Sequence, residues 1–150
     1  MRIEIGSRIY LSRIHLARGE VTEAVAQARR ACEMTPAPAL ELYCRAQLAR
    51  SLVAAGEVGE GSQQADRIAE LLEQVGGVTE GEALARLTLA EAWHAAGKAE
   101  ALDVAARARE RLLERARQIH DRARRESFLG AVPEHARTLA LFDVWRATSE

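Results

Sequence analysis

At 150 residues the chain has the length of one ordinary domain and can bury a core without help from disulfides or metals. Its formal net charge of -1 supplies no global attraction for nucleic acid or anionic lipid, which leaves any such binding to a local patch. Hydrophobic residues make up 48% but aromatics only 4%, so alanine carries much of the apolar fraction; with arginine as the main base, this predicts an all-α fold of closely approaching helices.

The first predicted helix begins almost at Met1 and opens the pattern E-x-x-x-R-x-x-L-[AS]-x-x-x-x-A-x-G at Glu4, Arg8, Leu11, Ser12, Ala17 and Gly19. The pattern returns without gaps at Glu41, Arg45, Leu48, Ala49, Ala54 and Gly56, and again at Glu82, Arg86, Leu89, Ala90, Ala95 and Gly97. The steps from Glu4 to Glu41 and from Glu41 to Glu82 lie in the range of two-helix solenoid repeats. Glu four residues before Arg sets opposite charges one turn apart in the favourable order, contributing about 0.2–0.5 kcal/mol on an exposed face. The Leu, the small residue after it and the later Ala share a face that a second helix can approach closely. The closing Gly supplies the left-handed residue that ends a helix and turns the chain back.

A second helix follows each of these glycines. Val21, Ala24, Val25, Ala28, Ala31 and Cys32 recur at helical spacing until Pro36 and Pro38 end one hairpin and start the next. After Gly56 the pattern begins weakly at Gly59 and Gly61, which predicts a frayed first turn, then strengthens through Ala65, Ile68, Ala69, Leu71 and Leu72 to stop at Gly76 and Gly77. Thr79 and Glu82 read as an S/T-x-x-E capping box opening the third hairpin. Cys32 and Cys44 lack C-x-x-C spacing and no secretory signal pattern precedes them, so a reducing, cytoplasmic setting is expected, with both thiols as small buried side chains and a redox pair as the alternative. No apolar run approaches the roughly 20 residues that cross a bilayer, and a soluble protein is expected.

These residues resemble the tetratricopeptide (TPR) family of helical repeats, with Leu11, Ser12, Gly19, Ala24, Ala28, Ala31 and Pro36 falling where its pattern places them. The match covers roughly residues 3 to 115, and departs in its longer repeats and in Arg8, Arg45 and Arg86, which stand where the family often has a large aromatic. In this the chain is similar to the divergent TPR-like arrays of bacterial signalling ATPases, kinases and nucleotide cyclases. The resemblance implies a short right-handed α-solenoid of about seven helices in a single domain, with hairpins at about 3–35, 38–75 and 80–124 and a C-terminal cap at about 126–147.

In the tail, the stripe Leu102, Ala105, Leu112, Leu113, Ala116, Ile119 and Ala123 predicts one long helix from Lys98. A last helix, from about Glu134 to Trp145, is expected to bury Leu139, Leu141, Phe142 and Trp145 over the exposed edge of the final repeat. The stretch 125–135, RESFLGAVPEH, is similar to the end of those signalling arrays. No equivalent cap precedes the first helix, so an apolar edge of Ile5, Ile9 and Tyr10 is expected to be covered by preceding repeats of a longer chain or by another subunit.

Catalytic signals are sparse. His15, His94, His120 and His135 are scattered without H-E-x-x-H or zinc spacing, and Gly56 to Gly61 lacks G-K-[ST], so neither an enzyme nor a metal or cofactor is expected. His94 beside Trp93 reads as a surface histidine, or as part of a groove. His120 and Asp121, adjacent on a helix, diverge by about 100° and make no dyad. Arg107, Arg109, Arg111, Arg115, Arg117, Arg122, Arg124 and Arg125 are interleaved with Glu110, Glu114 and Asp121, which reads as a solvated, salt-bridged face and makes an anion or nucleic-acid binder the lesser reading.

A partner-binding groove is the leading functional expectation. In the TPR family the first helices of successive repeats line a concave surface, and the resemblance places Ile9, Arg13 and Leu16, then Tyr43, Ala46, Arg50 and Val53, then Leu87, Glu91 and His94 there. Arg13 and Arg50, equivalent residues one repeat apart, would clamp an acidic side chain or a C-terminal carboxylate, or else pair with Glu91 or solvent. The implied function is a scaffold for a protein or peptide partner, as a module of a larger bacterial signalling or regulatory protein. Intramolecular docking in a longer chain is equally open, and homo-dimerisation through the N-terminal edge is the runner-up.

Overall fold

A computed structural model describes residues 2–34, 37–77 and 81–148. Among them run eight helices: α1 (Arg2–Ala17), α2 (Val21–Glu33), α3 (Pro38–Ala54), α4 (Val58–Val75), α5 (Glu82–Ala95), α6 (Ala101–Arg117), α7 (Arg122–Gly130) and α8 (Pro133–Thr148). No strand occurs among the described residues. Pro36 and Thr79, read above as a stop and a cap, lie outside them.

The hairpin bends are built identically. Gly19, Gly56 and Gly97 have φ of 75°, 81° and 71°, which L side chains adopt only with strain. At each, the glycine N–H donates to the carbonyl three residues back and the next N–H to the carbonyl five residues back. Glu20 N reaches His15 O at 2.9 Å, Glu57 N reaches Leu52 O at 2.9 Å and Lys98 N reaches Trp93 O at 2.9 Å. This double bond is the Schellman stop, which satisfies carbonyls a helix end would otherwise strand and fixes the direction of the returning chain.

The three hairpins α1–α2, α3–α4 and α5–α6 stack in chain order, with α3 between α1 and α5. Small residues set the spacing: Ala24, Ala28, Ala31, Ala46, Ala49, Ala65, Ala85 and Ala90 are all buried. Leu42, Ile68, Leu71, Leu84, Leu89, Leu141 and Trp145 join the main core, while Ile5, Ile9, Ala31 and Cys44 form a satellite cluster between the first two hairpins. Cys32 and Cys44 are free thiols, half-buried and buried respectively, and a hydrogen bond to Cys44 together with burial holds the Cys32 thiol above its ordinary pKa.

The repeated Glu–Arg pairs are more than local helix support. Glu4–Arg8, Glu41–Arg45 and Glu82–Arg86 pair at 2.9, 2.6 and 2.9 Å, and the arginines also tie the two helices of a hairpin together. Arg8 donates to Gln27 Oε1 at 3.1 Å and Arg45 to Gln64 Oε1 at 2.7 Å, at the same register one repeat apart. In the third hairpin Arg111 of α6 reaches back to Glu82 at 3.0 Å.

Four expectations are corrected. The single helix from Lys98 is two, giving eight helices instead of seven. α6 ends at Arg117, and Asp121 caps α7 by accepting the Arg124 N–H at 2.8 Å, so the acid beside His120 is a helix start. Ile119 and Ala123 continue the apolar spacing, but the extended backbone at Asp121 breaks the helix between them. Helix α5 begins at Glu82 behind a left-handed Gly81, so Glu82 is the first helical residue and not the third of a capping box; its carboxylate takes Arg86 and Arg111. Ile5 and Ile9 are buried within the chain and form no open edge. The turn at Gly59 and Gly61 is helical from Val58, and Gly61 is a contact point.

A Cβ added at Gly61 would lie 2.9 Å from Val53 Cγ2, whereas one added at Gly59 would meet nothing within 4 Å. Gly61→Ala therefore has to push α4 off α3, an overpacking cost of about 1–3 kcal/mol that outweighs the gain of up to about 1 kcal/mol in helix propensity. Gly59→Ala collects that gain alone. Urea unfolding is expected to show Gly59→Ala at or above wild-type stability and Gly61→Ala below it.

Glu82 supplies a pH signature. Burial pushes its carboxyl up, but the Arg111 and Arg86 guanidinium groups outweigh this and hold it below the usual carboxylate range. A lowered folded-state pKa contributes stability that is complete above the unfolded value of about 4.3 and is lost as pH falls through the folded value. Glu82→Gln is expected to cost about 1–3 kcal/mol at pH 7, because both arginines can still reach solvent, and to flatten the acid limb of a stability–pH profile.

Candidate partner-binding groove

The first helices α1, α3 and α5 lie side by side, and their equivalent positions form a row across one face: Arg13, Arg50 and Glu91. Helix α8 packs on α5 and α6 and borders this face. Glu134 at its start approaches Arg13 at 3.8 Å, and Arg137 one turn later donates to Glu91 Oε1 at 2.8 Å. Near its end, Trp145 stacks on His94 with ring centroids 3.9 Å apart and planes inclined by 20°.

Between α3, α5 and α8 these contacts leave two hollows. One, of about 330 Å³, is walled by Val53, Ala92, Leu141 and Trp145 with Arg50 and Thr88 among its polar groups. The other, of about 460 Å³, continues toward α1 past Leu84, Leu87 and Pro133, and is bordered by Arg13, Arg50, Thr88 and Glu134. Arg50 and Thr88 border both.

The polar groups here are unequally satisfied. Arg13 has Glu134, accepts company from the Tyr10 ring at 5.9 Å, and donates to Tyr43 Oη at 3.3 Å. Glu91 has Arg137. Arg50, exposed in the middle of the row, makes no hydrogen bond or ion pair with any described residue. The Thr88 hydroxyl is buried and has no hydrogen-bond partner among the described residues. A buried hydroxyl left so costs about 1–3 kcal/mol.

Of the residues expected on this face, Arg13, Arg50, Val53, Leu87, Glu91 and His94 border the two hollows. Ile9 does not: it is fully buried toward Ile5, Ala31 and Cys44, because its position on α1 faces the next hairpin. Ala46 is likewise core. Leu16 is half-buried at the end of α1 and outside both hollows, and Tyr43 borders a separate hollow of about 240 Å³ with Gly81, Arg115 and His135. His94 stacks on Trp145 and not on its neighbour Trp93, whose Nε1 donates to Asp66 at 2.8 Å beside Lys98.

Sequence reasoning missed Thr88, Glu134, Arg137, Leu141 and Trp145 as groove residues. Thr88 had a signal, since it occupies the register of Gln47 in the preceding repeat. The α8 residues had none, because a terminal helix carries no repeat register. The basic run at 107–125 is split between α6 and α7, with Arg111 paired to Glu82, Arg122 to Glu126 at 2.8 Å, Arg109 over Phe142 and Arg115 over Phe128.

A solved structure of Podosopora anserina, described as nearly identical TPR-like repeats of a candidate kinesin light chain, superposes on 97% of this chain and 76% of its own with a TM-score of 0.60 and 21% identity. The chain has a TPR-like repeat fold. At that identity the likeness carries the fold alone. No protein-family model and no curated protein matches the sequence. No helix among the described residues is long and apolar enough to cross a membrane.

Proposed function

We propose that the chain is a protein-interaction scaffold that receives an extended, acidic-apolar peptide or partner segment in the groove between α3, α5 and α8. The observation that supports this most directly is an uncommitted cation, Arg50, at the border of two apolar hollows. A carboxylate accepts from Arg50, and neighbouring side chains fill the hollows beside Leu141, Trp145 and Leu87. This amends the two-arginine clamp: Arg13 already has intramolecular partners, so Arg50 is its active half. The similarity of residues 125–135 to the ends of bacterial signalling arrays supports a place in a cytoplasmic signalling or regulatory protein, where the segment received can belong to the same longer chain.

Fluorescence anisotropy against a panel of short peptides pairing Asp or Glu with apolar residues tests the reading. At least one class is expected to bind at micromolar Kd, with Arg50→Ala weakening it about tenfold or more, in line with a charge-assisted bond of about 1.5–3 kcal/mol. Thr88→Val is expected to leave the free protein equally or more stable, since it deletes an unpaired buried hydroxyl at constant shape. Arg13→Ala is expected to change affinity less. A panel without binders, or affinity indifferent to Arg50→Ala, removes this groove as the site.

A further inference from the structure

The packing of the hairpins does not require sulfur at positions 32 and 44, and the next interface of the array shows why. Counted by the repeat, Cys32 of α2 stands where α4 has Ala69, and Cys44 of α3 stands where α5 has Ala85. Burial agrees position by position: Cys32 and Ala69 are half-buried, Cys44 and Ala85 fully buried. Both alanines pack in the main core, so methyl groups suffice at this register. The first interface carries two thiols there instead.

The two thiols meet. Cys32 packs on the satellite cluster of Ile5, Ile9, Ala31 and Cys44, and its side chain is hydrogen-bonded to that of Cys44. Sulfurs in such contact stand about 2 Å beyond the S–S bond length of about 2.05 Å, a difference that rotation about χ1 covers. Access is one-sided, because Cys44 is fully buried whereas half-buried Cys32 is open to a small oxidant. The bond to Cys44 and burial hold the Cys32 thiol above its ordinary pKa, so little thiolate forms and oxidation is slow.

The place of the pair in the fold gives a bond there a consequence. Among the described residues the main core begins at Leu42 and includes none from α1 or α2. The first hairpin is held on the second by two satellite clusters and by the hydrogen bonds of Ser12, Gln47 and Ser51. A covalent link from α2 to α3 ties this separately packed hairpin to a helix that supplies Leu42, Ala46 and Ala49 to the main core.

We infer that Cys32 and Cys44 form a reversible dithiol–disulfide pair, oxidised by hydrogen peroxide, whose closure staples the first hairpin to the second. The Cys32 sulfur attacks one peroxide oxygen, the O–O bond breaks, and water leaves a sulfenic acid on Cys32. The Cys44 sulfur then attacks the Cys32 sulfur; the S–O bond breaks, and the departing hydroxide leaves as water with the Cys44 proton. Two thiols give up two electrons, which reduce one peroxide to two waters. A dithiol reductant reopens the bond by exchange. The cysteines are 12 residues apart, and a loop of that size closed by a disulfide is expected to raise the Tm by about 5–10 °C.

Intact-mass spectrometry on the full chain after hydrogen peroxide is expected to show the loss of two hydrogens, with Cys32 and Cys44 in one cross-linked peptide and full recovery in dithiothreitol. The oxidised chain is expected to melt higher by the stated amount, and amide exchange in α1 and α2 to slow by about tenfold or more. Cys44→Ala and Cys32→Ala each install the residue used at the next interface, and both are expected to keep wild-type helical circular dichroism. Under peroxide Cys44→Ala is expected to gain oxygen at Cys32 and to show no rise in Tm. A wild type that gains oxygen at Cys32 instead of losing two hydrogens, or that links to a second chain through sulfur, overturns the pair. So does one whose thiols stay reduced at peroxide concentrations that oxidise the urea-unfolded chain. A disulfide that forms but leaves the Tm and the exchange of α1 and α2 unchanged overturns the staple.

Discussion

The position of every helix through α6 follows from one pair of backbone hydrogen bonds made three times. At Gly19, Gly56 and Gly97 the chain leaves the helix through a left-handed residue, whose own N–H and the next one donate to carbonyls three and five residues behind. Such a stop aims the outgoing chain in one direction only, so three identical stops give three identical hairpins. Identical hairpins can stack in one register, and stacking brings equivalent residues into rows. The charged row of Arg13, Arg50 and Glu91 exists because these turns agree with one another.

What the turns aim, small and polar side chains hold together. Alanine lines the contacts between helices, and Gly61 allows α4 closest to α3, where even a methyl group would meet Val53 at 2.9 Å. Arg8 and Arg45 stand at equivalent positions of the first two hairpins. Each guanidinium lies along the hairpin and bonds a glutamine on the return helix, Gln27 or Gln64, so a directional contact does the work of bulk. The buried trio Ser12, Gln47 and Ser51 acts likewise between the first and second hairpins, where its bonds are made in one register only.

The legible part of this structure was the part that repeats. Three copies of one pattern fixed the bends, the pairing of helices and the face bearing Arg13, Arg50 and Glu91, since a residue type recurring at a period of about 37 to 41 has a shared structural cause. Single-copy features were harder. Asp121 reads as an acid beside a histidine until the backbone shows it capping α7, because apolar spacing alone does not reveal a break one residue wide. Ile9 was assigned to the groove from family register, but α1 meets α3 through that very face. Thr88 was legible only in retrospect, by counting from Gln47, and the contributions of α8 depend on where a non-repeating helix comes to rest.

The two ends of the stack solve the same problem differently, and the difference shapes the groove. A solenoid exposes apolar surface at each end, and at the C-terminal end α8 covers it with Leu141 and Trp145. In doing so it stretches along the concave side, where Glu134 faces Arg13 and Arg137 takes Glu91. Two of the three charged rungs are thereby compensated within the chain, and only the middle one, Arg50, keeps its charge uncommitted. The cap therefore changes the charge of the row beneath it: of its three charged residues, Arg50 alone is left without a partner among the described residues. Among the described residues nothing packs over the equivalent face of α1, so Tyr10 and Ile14 are exposed where Gln47 and Ser51 are buried. Capping and the charge of this face are thus a single packing problem, because the helix that closes one edge also pairs two of the row's three charged residues.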